Sequence, residues 1–199
     1  MKVAIIKYNA GNIMSVEYAL QRLGLNPVVS SNPEVIKGAD KVIFPGVGEA
    51  STTMNFLKRA RIDQVIKDLK QPVLGICLGL QLMCSHSEEG NTDCIGVFPE
   101  KVKRFSFPDG SGPALKVPHM GWNSLQDVKE GIFDSFLEGQ FVYFVHSFYA
   151  EPGIETAATS HHGIEFSAAL QKDNFYATQF HPEKSGKVGA KILENFIRL

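Results

Sequence analysis

The sequence predicts an α/β protein with an open, mostly parallel central sheet, helices on both faces, and an added antiparallel strand region in the C-terminal half. Up to residue 83, short apolar segments alternate with helical patterns, and such alternation is typical of parallel strands covered by helices. Past residue 85, short strand candidates instead follow one another at hairpin spacing. No linker, repeat or low-complexity segment divides the chain, so we expect one domain over residues 1–199.

The N-terminal half contains four predicted strands, each a short apolar segment, at residues 3–6, 27–30, 41–44 and 73–76. Helical patterns lie between them at residues 13–23, 33–37, 51–59 and 62–69. Asn12 is a suitable cap for the first helix, and Gly24 is its natural end. Asn32 and Pro33 favour the start of the short second helix. This order of elements predicts strands that pair in parallel.

The C-terminal half contains predicted strands at residues 102–107, 115–117, 122–125, 141–146, 156–160, 166–171 and 175–180. Residues 85–93 are polar and predict a loop, and residues 109–113 carry a strong turn signal. Apolar residues recur at helical spacing in residues 185–198, which predicts an amphipathic helix. This half is therefore expected to add antiparallel strands and one closing helix to the sheet.

Composition and charge exclude several classes of protein. Of the 199 residues, 44% are hydrophobic and 21% are charged, and the formal net charge is −1, as in ordinary globular domains. A nucleic-acid partner is not expected, because such surfaces need clustered basic charge, and no apolar run reaches the length of a membrane span. The three irregularly spaced cysteines predict no disulfide framework. Since residues 1–7 are too short for a signal peptide, we expect a cytoplasmic protein.

Cys77 lies where the strand at residues 73–76 turns sharply into a helical pattern, with Gly75 and Gly79 on either side. Glycines at these positions permit a tight, strained turn, which would push the thiol out at the positive end of the helix. A helix N-terminus favours the thiolate and so lowers the pKa of a thiol. Cys77 is therefore a candidate nucleophile, although most free cysteines are simply small core residues.

A candidate base and an orienting carboxylate lie near the C-terminus, at His181 and Glu183. Pro182 disfavours helix at the residue before it, so His181 should be extended. Residues i and i+2 of an extended segment point to the same side, so Glu183 can hold the imidazole in one tautomer. Cysteine, histidine and a carboxylate form the triad of a covalent catalyst. Taken alone, the segment also fits a turn with a solvated acid.

A glycine-rich segment at residues 45–48 follows the third predicted strand and precedes a helical pattern. Its backbone around Gly46 and Val47 can direct N–H groups at an oxyanion, together with the N–H of Leu78 after the candidate nucleophile. Two glycines after a strand usually indicate only a turn, so this interpretation depends on the other two segments.

Together, residues 45–48, 75–81 and 181–183 resemble the class I glutamine amidotransferases. Four further segments are similar to the glutaminase subunits of imidazole glycerol phosphate synthase within that family, at residues 8–12, 118–123, 143–147 and 179–185. The resemblance runs along the whole chain, and residues 118–123 are not a general amidotransferase feature. It implies a protein that hydrolyses glutamine to glutamate and ammonia and supplies the ammonia to histidine biosynthesis.

The resemblance also implies roles for particular residues. Cys77 would attack the side-chain amide of glutamine, and His181, oriented by Glu183, would transfer the protons. The residues that hold the amino-acid end of glutamine would be Gln81, His146, Ser147 and Phe148. No metal or other cofactor is expected.

By the same resemblance, the partner is the cyclase subunit of the synthase, which is a HisF-like (β/α)₈ barrel, in a heterodimer that passes ammonia internally. The docking face would lie around Asn12, Trp122 and Asn123. The segment at residues 45–48 is the expected switch, because glycines let a peptide reorient at little steric cost. His119 is expected to be structural or interfacial.

Two other functions remain open from the sequence alone. A related amidotransferase subunit could serve another synthase, such as an anthranilate-type enzyme or one of a surface-sugar pathway, because its triad would be the same. A non-catalytic α/β protein is the third possibility, and the complete set of Cys77, His181 and Glu183 argues against it. Glutamate release from glutamine, with and without a candidate partner, separates these hypotheses.

Overall fold

The computed structural model describes residues 1–8, 13–107 and 115–199. Its helices are α1 (Ile13–Arg22), α2 (Pro33–Lys37), α3 (Ala50–Arg59), α4 (Ile62–Asp68), α5 (Leu78–Met83) and α6 (Gly186–Arg198). Short 3₁₀ turns lie at Ser135–Leu137 and Pro182–Lys184. The strands are β1 (Val3–Ile6), β2 (Val28–Ser30), β3 (Lys41–Gly46), β4 (Val73–Cys77), β5 (His86–Ser87), β6 (Thr92–Asp93), β7 (Lys101–Arg104), β8 (His119–Ser124), β9 (Phe141–His146), β10 (Phe148–Ala150), β11 (Thr156–His161), β12 (Glu165–Lys172) and β13 (Phe175–Thr178).

One large sheet runs through the described residues in the order β2-β1-β3-β4-β13-β12-β10-β7-β5-β6, and β11 also pairs with β12. The strands from β2 to β13 in this order pair in parallel. The pairs β13–β12, β12–β11, β12–β10 and β10–β7 are antiparallel. β8 and β9 form a separate antiparallel pair. The predicted fold class is therefore confirmed.

Apolar side chains pack on both faces of the sheet, because successive residues of a buried strand point to opposite sides. In β1, Ala4 and Ile6 join one cluster, whereas Val3 and Ile5 join the other. Helices α2, α3, α4 and α5 contribute buried residues to the first cluster, and α1 and α6 contribute to the second. The helices thus cover the faces of the sheet rather than the carboxyl ends of its central strands.

The prediction and the structure differ most at residues 85–93, 115–117 and 148–150, and the strand predicted at residues 102–107 spans Lys101–Arg104. Residues 115–117 are not a strand, and the apolar side chains of Leu115 and Val117 are more than one third exposed. Residues 85–93, predicted as a loop, contain the β5–β6 pair. The prediction also omits β10, because only Ser147 separates it from β9 and no turn signal marks the change of pairing partner. The predicted cap at Asn12 and the turn at residues 109–113 lie outside the described residues.

Candidate active site

Three parallel strands end side by side and bring the predicted site residues together. Gly46 at the end of β3 is opposite Cys77 at the end of β4, and Thr178 at the end of β13 is opposite Ile76. His181 follows β13 by three residues and so lies beyond the same edge. Ligands of open α/β sheets bind outside the carboxyl ends of the strands, which makes this edge the expected place for a site.

The backbone at Cys77 has the strained turn that the sequence predicts. Its φ is 53° and its ψ is −107°, a conformation that residues other than glycine rarely adopt and that is common at functional sites. Neighbouring glycines make the turn possible, because a Cβ on Gly79 would clash with the carbonyl oxygen of Phe44 and one on Gly46 would lie 2.6 Å from Leu78 Cβ. With α5 beginning at Leu78, this is the strand–nucleophile–helix geometry of a nucleophile elbow.

His181 and Glu183 are paired in the interior of the protein. His181 Nδ1 lies 2.8 Å from Glu183 Oε1, and the two side chains are 2% and 1% exposed. His181 is extended as predicted, whereas Glu183 lies in a 3₁₀ turn that begins at Pro182. Ser185 Oγ donates to the carbonyl oxygen of His181 at 2.7 Å and holds this turn. The expected contact is therefore present, but a turn rather than a strand produces it.

The environment of His181 favours a positively charged ring. Burial lowers its pKa, but Cys77 and Glu183 raise it by more, to about 10. Cys77 ends β4, and His181 follows the neighbouring strand β13, so both residues lie at the same edge of the sheet. Nε2 of His181 is buried and forms no hydrogen bond of ordinary geometry within the described residues, so this nitrogen is the one left to exchange protons with the thiol or a substrate.

A cavity of about 340 Å³ lies beside Cys77. The predicted site residues in its wall are Val47, Leu78, Gln81, His146, Ser147 and Phe148. Gly46 adjoins Cys77 through the strand register. The structure thus brings the predicted nucleophile, the oxyanion segment and the predicted glutamine contacts around one cavity.

Sequence reasoning missed Glu89 and Pro118, which also line this cavity. Glu89 Oε2 accepts a hydrogen bond from the backbone N–H of Ala50 at 2.8 Å, and burial raises the pKa of this carboxyl group. The residue lies in the polar segment that predicts a solvated loop, so nothing in the local pattern indicates a carboxyl group in a cavity wall.

Comparison with known proteins points to the same chemistry as this geometry. A family model for glutamine amidotransferase class-I matches residues 4–199. The chain belongs to the class-I glutamine amidotransferases. Its relatives include the imidazole glycerol phosphate synthase subunit HisH of Bacteroides fragilis, which is 60% identical over 199 residues that cover 100% of both chains. The subunit of the same name from Haemophilus influenzae is 44% identical over 198 residues, which are 99% of this chain and 97% of the relative.

Two solved structures share the fold of this amidotransferase chain. A glutamine amidotransferase from Thermotoga maritima has a TM-score of 0.62 and 16% identity, with 99% of this chain and 82% of that chain covered. A second structure, described as a glutamine amidotransferase, has a TM-score of 0.74 and 18% identity, with coverage of 98% and 97%. At these identities the likeness establishes the fold alone.

Two of the predicted glutamine contacts in this amidotransferase have most of their polar atoms engaged. Gln81 Nε2 donates to the carbonyl oxygen of Phe148 at 2.9 Å and to Gln179 Oε1 at 3.0 Å. His146 Nδ1 lies 2.8 Å from the same carbonyl oxygen, and its Nε2 lies 3.0 Å from His119 Nδ1. Gln81 therefore has only its side-chain oxygen available to a ligand, and both ring nitrogens of His146 already have a protein partner.

The predicted docking residues have different surroundings. Trp122 is 55% exposed and packs edge-on against Tyr143, with 6.1 Å between ring centroids. Asn123 Nδ2 donates to the carbonyl oxygen of His161 at 2.8 Å and lies 3.3 Å from His119 Nε2. Asn123 therefore ties β8 to its neighbours, whereas Trp122 presents an apolar surface. Asn12 lies outside the described residues.

The described part of the chain offers neither a membrane-spanning helix nor a metal centre. No helix there combines the length and the apolar character that a membrane crossing requires. Residues 1–8, 13–107 and 115–199 also contain no group of three or more histidine, cysteine or acidic side chains arranged to hold a metal ion.

Proposed function

We propose that this chain is the glutaminase subunit of an imidazole glycerol phosphate synthase, which hydrolyses glutamine and passes the ammonia to a cyclase subunit in histidine biosynthesis. The HisH relatives, identical at up to 60% of positions over the full length, support the pathway. The single observation that best supports the chemistry is the buried His181–Glu183 pair beside a cysteine in a strained strand-to-helix turn.

The first half-reaction forms a thioester. The Cys77 thiolate attacks the side-chain amide carbon of glutamine, and the carbonyl electron pair moves onto the amide oxygen. The resulting oxyanion is held by backbone N–H groups of the segment containing Gly46 and Val47 and of Leu78. When the intermediate collapses, the C–N bond breaks, protonated His181 gives its Nε2 proton to the nitrogen, and ammonia leaves.

The second half-reaction restores the enzyme. His181, now neutral, takes a proton from water as the water oxygen attacks the thioester carbon. The C–S bond then breaks, the new carboxyl group loses its proton to solvent as glutamate leaves, and the sulfur of Cys77 is again a thiolate beside a protonated imidazole. Glu183 keeps Nδ1 protonated throughout, which fixes Nε2 as the nitrogen that transfers protons.

The cavity supplies groups of the right kind for the amino-acid end of glutamine. A free amino acid carries an ammonium group, and the half-buried carboxyl of Glu89 offers an opposite charge in the cavity wall. Gln81 keeps one side-chain oxygen free for a donor. The backbone of Ser147 and Phe148 completes the wall on the β10 side.

Docking on the HisF-like (β/α)₈ barrel of the cyclase would use the outer face of β8. Met120 and Trp122 alternate with inward-facing residues along this strand and are 64% and 55% exposed. Neighbouring exposed apolar side chains are a usual mark of an interaction site. Trp122→Glu should therefore abolish co-purification with the cyclase subunit, while Ile154→Glu, at an apolar residue that is 80% exposed in the loop after β10, should leave it intact.

The segment at residues 45–48 is proposed as the switch that the partner controls. Gly48 has a φ of 127°, a conformation open to glycine and strained for other residues. If docking changes the orientation of one peptide here, the oxyanion gains or loses a donor, and one donor is worth about 10²–10³ in rate. Such coupling requires different contacts in the two states of the segment.

We also propose that the chain works as one domain in the cytoplasm. The family match over residues 4–199 supports a single unit, and its three free cysteines fit a reducing compartment. Thiol quantification on protein from its native source should give three free thiols per chain. A disulfide in that preparation would contradict the assigned compartment.

The test of the proposed function is glutamate release from glutamine by the chain alone, by its complex with the cyclase, and by the complex with the acceptor nucleotide. We expect the lowest turnover in the isolated chain and the highest in the complete mixture. Equal turnover in all three would exclude the switch but not the hydrolysis. Stimulation by the subunit of another synthase, with none by the cyclase, would contradict the assigned pathway.

A further inference from the structure

A fully buried glutamine contacts the candidate nucleophile, although neither its local sequence nor the triad assigns it a role. Gln179 is 0% exposed and follows β13 directly, where its backbone N–H donates to the carbonyl oxygen of Ala168 at 2.8 Å. Its side-chain Nε2 lies 3.7 Å from Cys77 Sγ, and its Oε1 accepts from Gln81 Nε2 at 3.0 Å. Gln179 thus joins the sulfur to a second buried amide.

The carbonyl oxygen of Phe148 fixes the orientation of both amides. A carbonyl oxygen can only accept, so the Gln81 atom that lies 2.9 Å away must be the nitrogen. The second N–H of that nitrogen then requires an acceptor, which is Gln179 Oε1. With its oxygen committed to Gln81, Gln179 must turn its NH₂ group toward the sulfur. A flip of Gln179 would place donor against donor at this contact, and a flip of Gln81 would place its oxygen against two acceptors.

His146 strengthens the same anchor. Its Nδ1 lies 2.8 Å from the carbonyl oxygen of Phe148 and must be the donor there. In the neutral ring Nε2 is then an acceptor, and it faces His119 Nδ1 at 3.0 Å. The Phe148 oxygen therefore accepts from both His146 and Gln81, and the wall of the cavity carries a continuous chain of hydrogen bonds to Cys77.

The Cys77 sulfur has one acceptor and one donor as neighbours, and each suits a different ionisation state of the sulfur. A protonated thiol can donate, and the carbonyl oxygen of Val145 lies 4.0 Å from Sγ. A thiolate can only accept, and Gln179 Nε2, a donor, lies 3.7 Å from Sγ. Hydrogen bonds to a charged acceptor are stronger than those to a neutral one, so this amide stabilises the thiolate relative to the thiol.

We propose that Gln179 is a further catalytic residue of the glutaminase site, which holds the Cys77 thiolate through its side-chain N–H while Gln81 and the Phe148 carbonyl fix its orientation. The proposal rests on the proposed glutaminase function. It gives Gln81 a second task besides glutamine binding, because the Gln81 amide aligns the donor on the nucleophile. The donor contacts the sulfur directly, so it acts on the thiolate itself.

The test replaces Gln179 in the complex with the cyclase subunit. Gln179→Met keeps the length and volume of the side chain but removes the donor. We expect kcat for glutamine to fall roughly tenfold, the effect of losing one long hydrogen bond to a charged acceptor, with little change in KM. Gln179→Glu keeps the shape and the acceptor but places a carboxylate beside the thiolate, so the loss in kcat should be larger.

A neighbouring residue supplies the matched control. Thr178 is also 0% exposed, and its Oγ1 donates to the carbonyl oxygen of Phe180 at 3.0 Å rather than to Cys77. Thr178→Val removes a buried hydrogen bond one residue away and should reduce stability without lowering kcat. Equal losses of kcat in Thr178→Val and Gln179→Met would mark Gln179 as a structural residue and overturn the proposal.

Alkylation of Cys77 by iodoacetamide gives a readout that needs neither glutamine nor turnover. The rate constant at neutral pH should fall in Gln179→Met and in Gln179→Glu and stay near wild type in Thr178→Val. Unchanged alkylation in both Gln179 variants would refute the proposal. A wild-type complex that releases no glutamate would instead refute the proposed function, so the two failures are distinguishable.

Discussion

Two buried histidines lie close to Cys77: His146 lines the cavity, and His181 follows the strand beside it. Their pKa values are shifted in opposite directions. Burial lowers the pKa of both rings. In His181, Cys77 and Glu183 outweigh burial and raise the pKa to about 10. In His146, burial prevails despite the hydrogen bond to the Phe148 carbonyl, and the pKa falls to about 3. The partner therefore decides the charge: a carboxylate at Nδ1 prepares a ring for proton transfer, whereas a carbonyl oxygen there fixes a neutral one.

The surroundings of His146 complete this contrast. Its neighbour His119 stacks on His162 with 4.2 Å between ring centroids. Burial lowers the pKa of His119 to about 4, and the nearby His162 contributes a smaller part of this shift. These rings pack among Phe105, Phe144 and Phe166. We therefore expect substitutions at the His181 pair to remove activity, and substitutions at the His146 group to reduce mainly stability.

The largest effect should come from the reacting pair. Cys77→Ala and His181→Ala should each lower glutamine hydrolysis by the complex by roughly 10⁴-fold or more, because each removes a member of one catalytic unit. The double variant should be little worse than either single one. Steady-state glutamate release measures all three, and losses that multiply would show that the two residues do not act together.

Glu183→Gln makes the environment of His181 resemble that of His146, since it keeps the shape and removes the charge. We expect a loss of roughly 10²–10⁴ in kcat, smaller than that of the alanine variants, because the group orients the ring rather than transferring protons. Glutamate release by the complex measures this, and wild-type turnover in Glu183→Gln would contradict the assigned role.

The same variant makes a prediction about stability and pH. The His181 pKa of about 10 in the folded chain lies above its ordinary 6.5, so the protonated ring stabilises the fold fully below pH 6.5 and loses this contribution as the pH rises through 10. The difference in unfolding free energy between wild type and Glu183→Gln should therefore shrink from pH 6.5 to pH 10. Urea unfolding at both pH values measures this difference, and a difference that grows with pH would contradict the prediction.

The contrast between the two histidines also shows what the sequence can predict. Cys77 and the His181–Glu183 pair are local patterns, in which a glycine-flanked strand end or a two-residue spacing carries the signal. The roles of His119 and His146 depend on the register of β8 against β9, where His119 is opposite His146. The contacts of Gln179 join residues that lie 98 and 102 positions apart in the chain. No local pattern encodes such contacts.

Side-chain polarity also led to a wrong prediction in two segments. The segment at residues 85–93 predicts a solvated loop, yet the β5–β6 pair holds it against the sheet and places Glu89 in the cavity wall. Conversely, the apolar Leu115 and Val117 predict a strand over residues 115–117, and their side chains remain more than one third exposed. The parallel half of the fold was predictable because burial on both faces makes its strands continuously apolar.

Tyr8→Phe tests the support of the oxyanion segment and should have a smaller effect. The Tyr8 hydroxyl donates to the carbonyl oxygen of Pro45 and so holds the peptide before Gly46. Removal of this single hydrogen bond should lower kcat by roughly 3- to 10-fold with little change in KM. Kinetics of the complex give the measurement, and an unchanged kcat would show that the hydroxyl does not restrain the segment.

His119→Phe should have the smallest effect on chemistry. Aromatic neighbours can accept the new ring, but His146 Nε2 loses its donor and Asn123 loses an acceptor. We expect the free energy of unfolding to fall by about 1–3 kcal/mol, while the rate of Cys77 alkylation stays near wild type. Denaturant unfolding and alkylation kinetics measure the two quantities. A loss of Cys77 reactivity as large as that of His181→Ala would remove the distinction between the two histidine groups.

The most direct test of the central claim is the site at which a glutamine-mimicking electrophile reacts. Cys84 is fully buried, and Cys94 is half-buried. Burial raises the pKa of both thiols, to about 12 in Cys94, and among the described residues that line the cavity Cys77 is the one cysteine. Mass spectrometry of the labelled protein should find the adduct on Cys77 alone, with its formation slowed by excess glutamine. Adducts spread evenly over the three cysteines, or concentrated on Cys94, would contradict the assignment of Cys77 as the nucleophile.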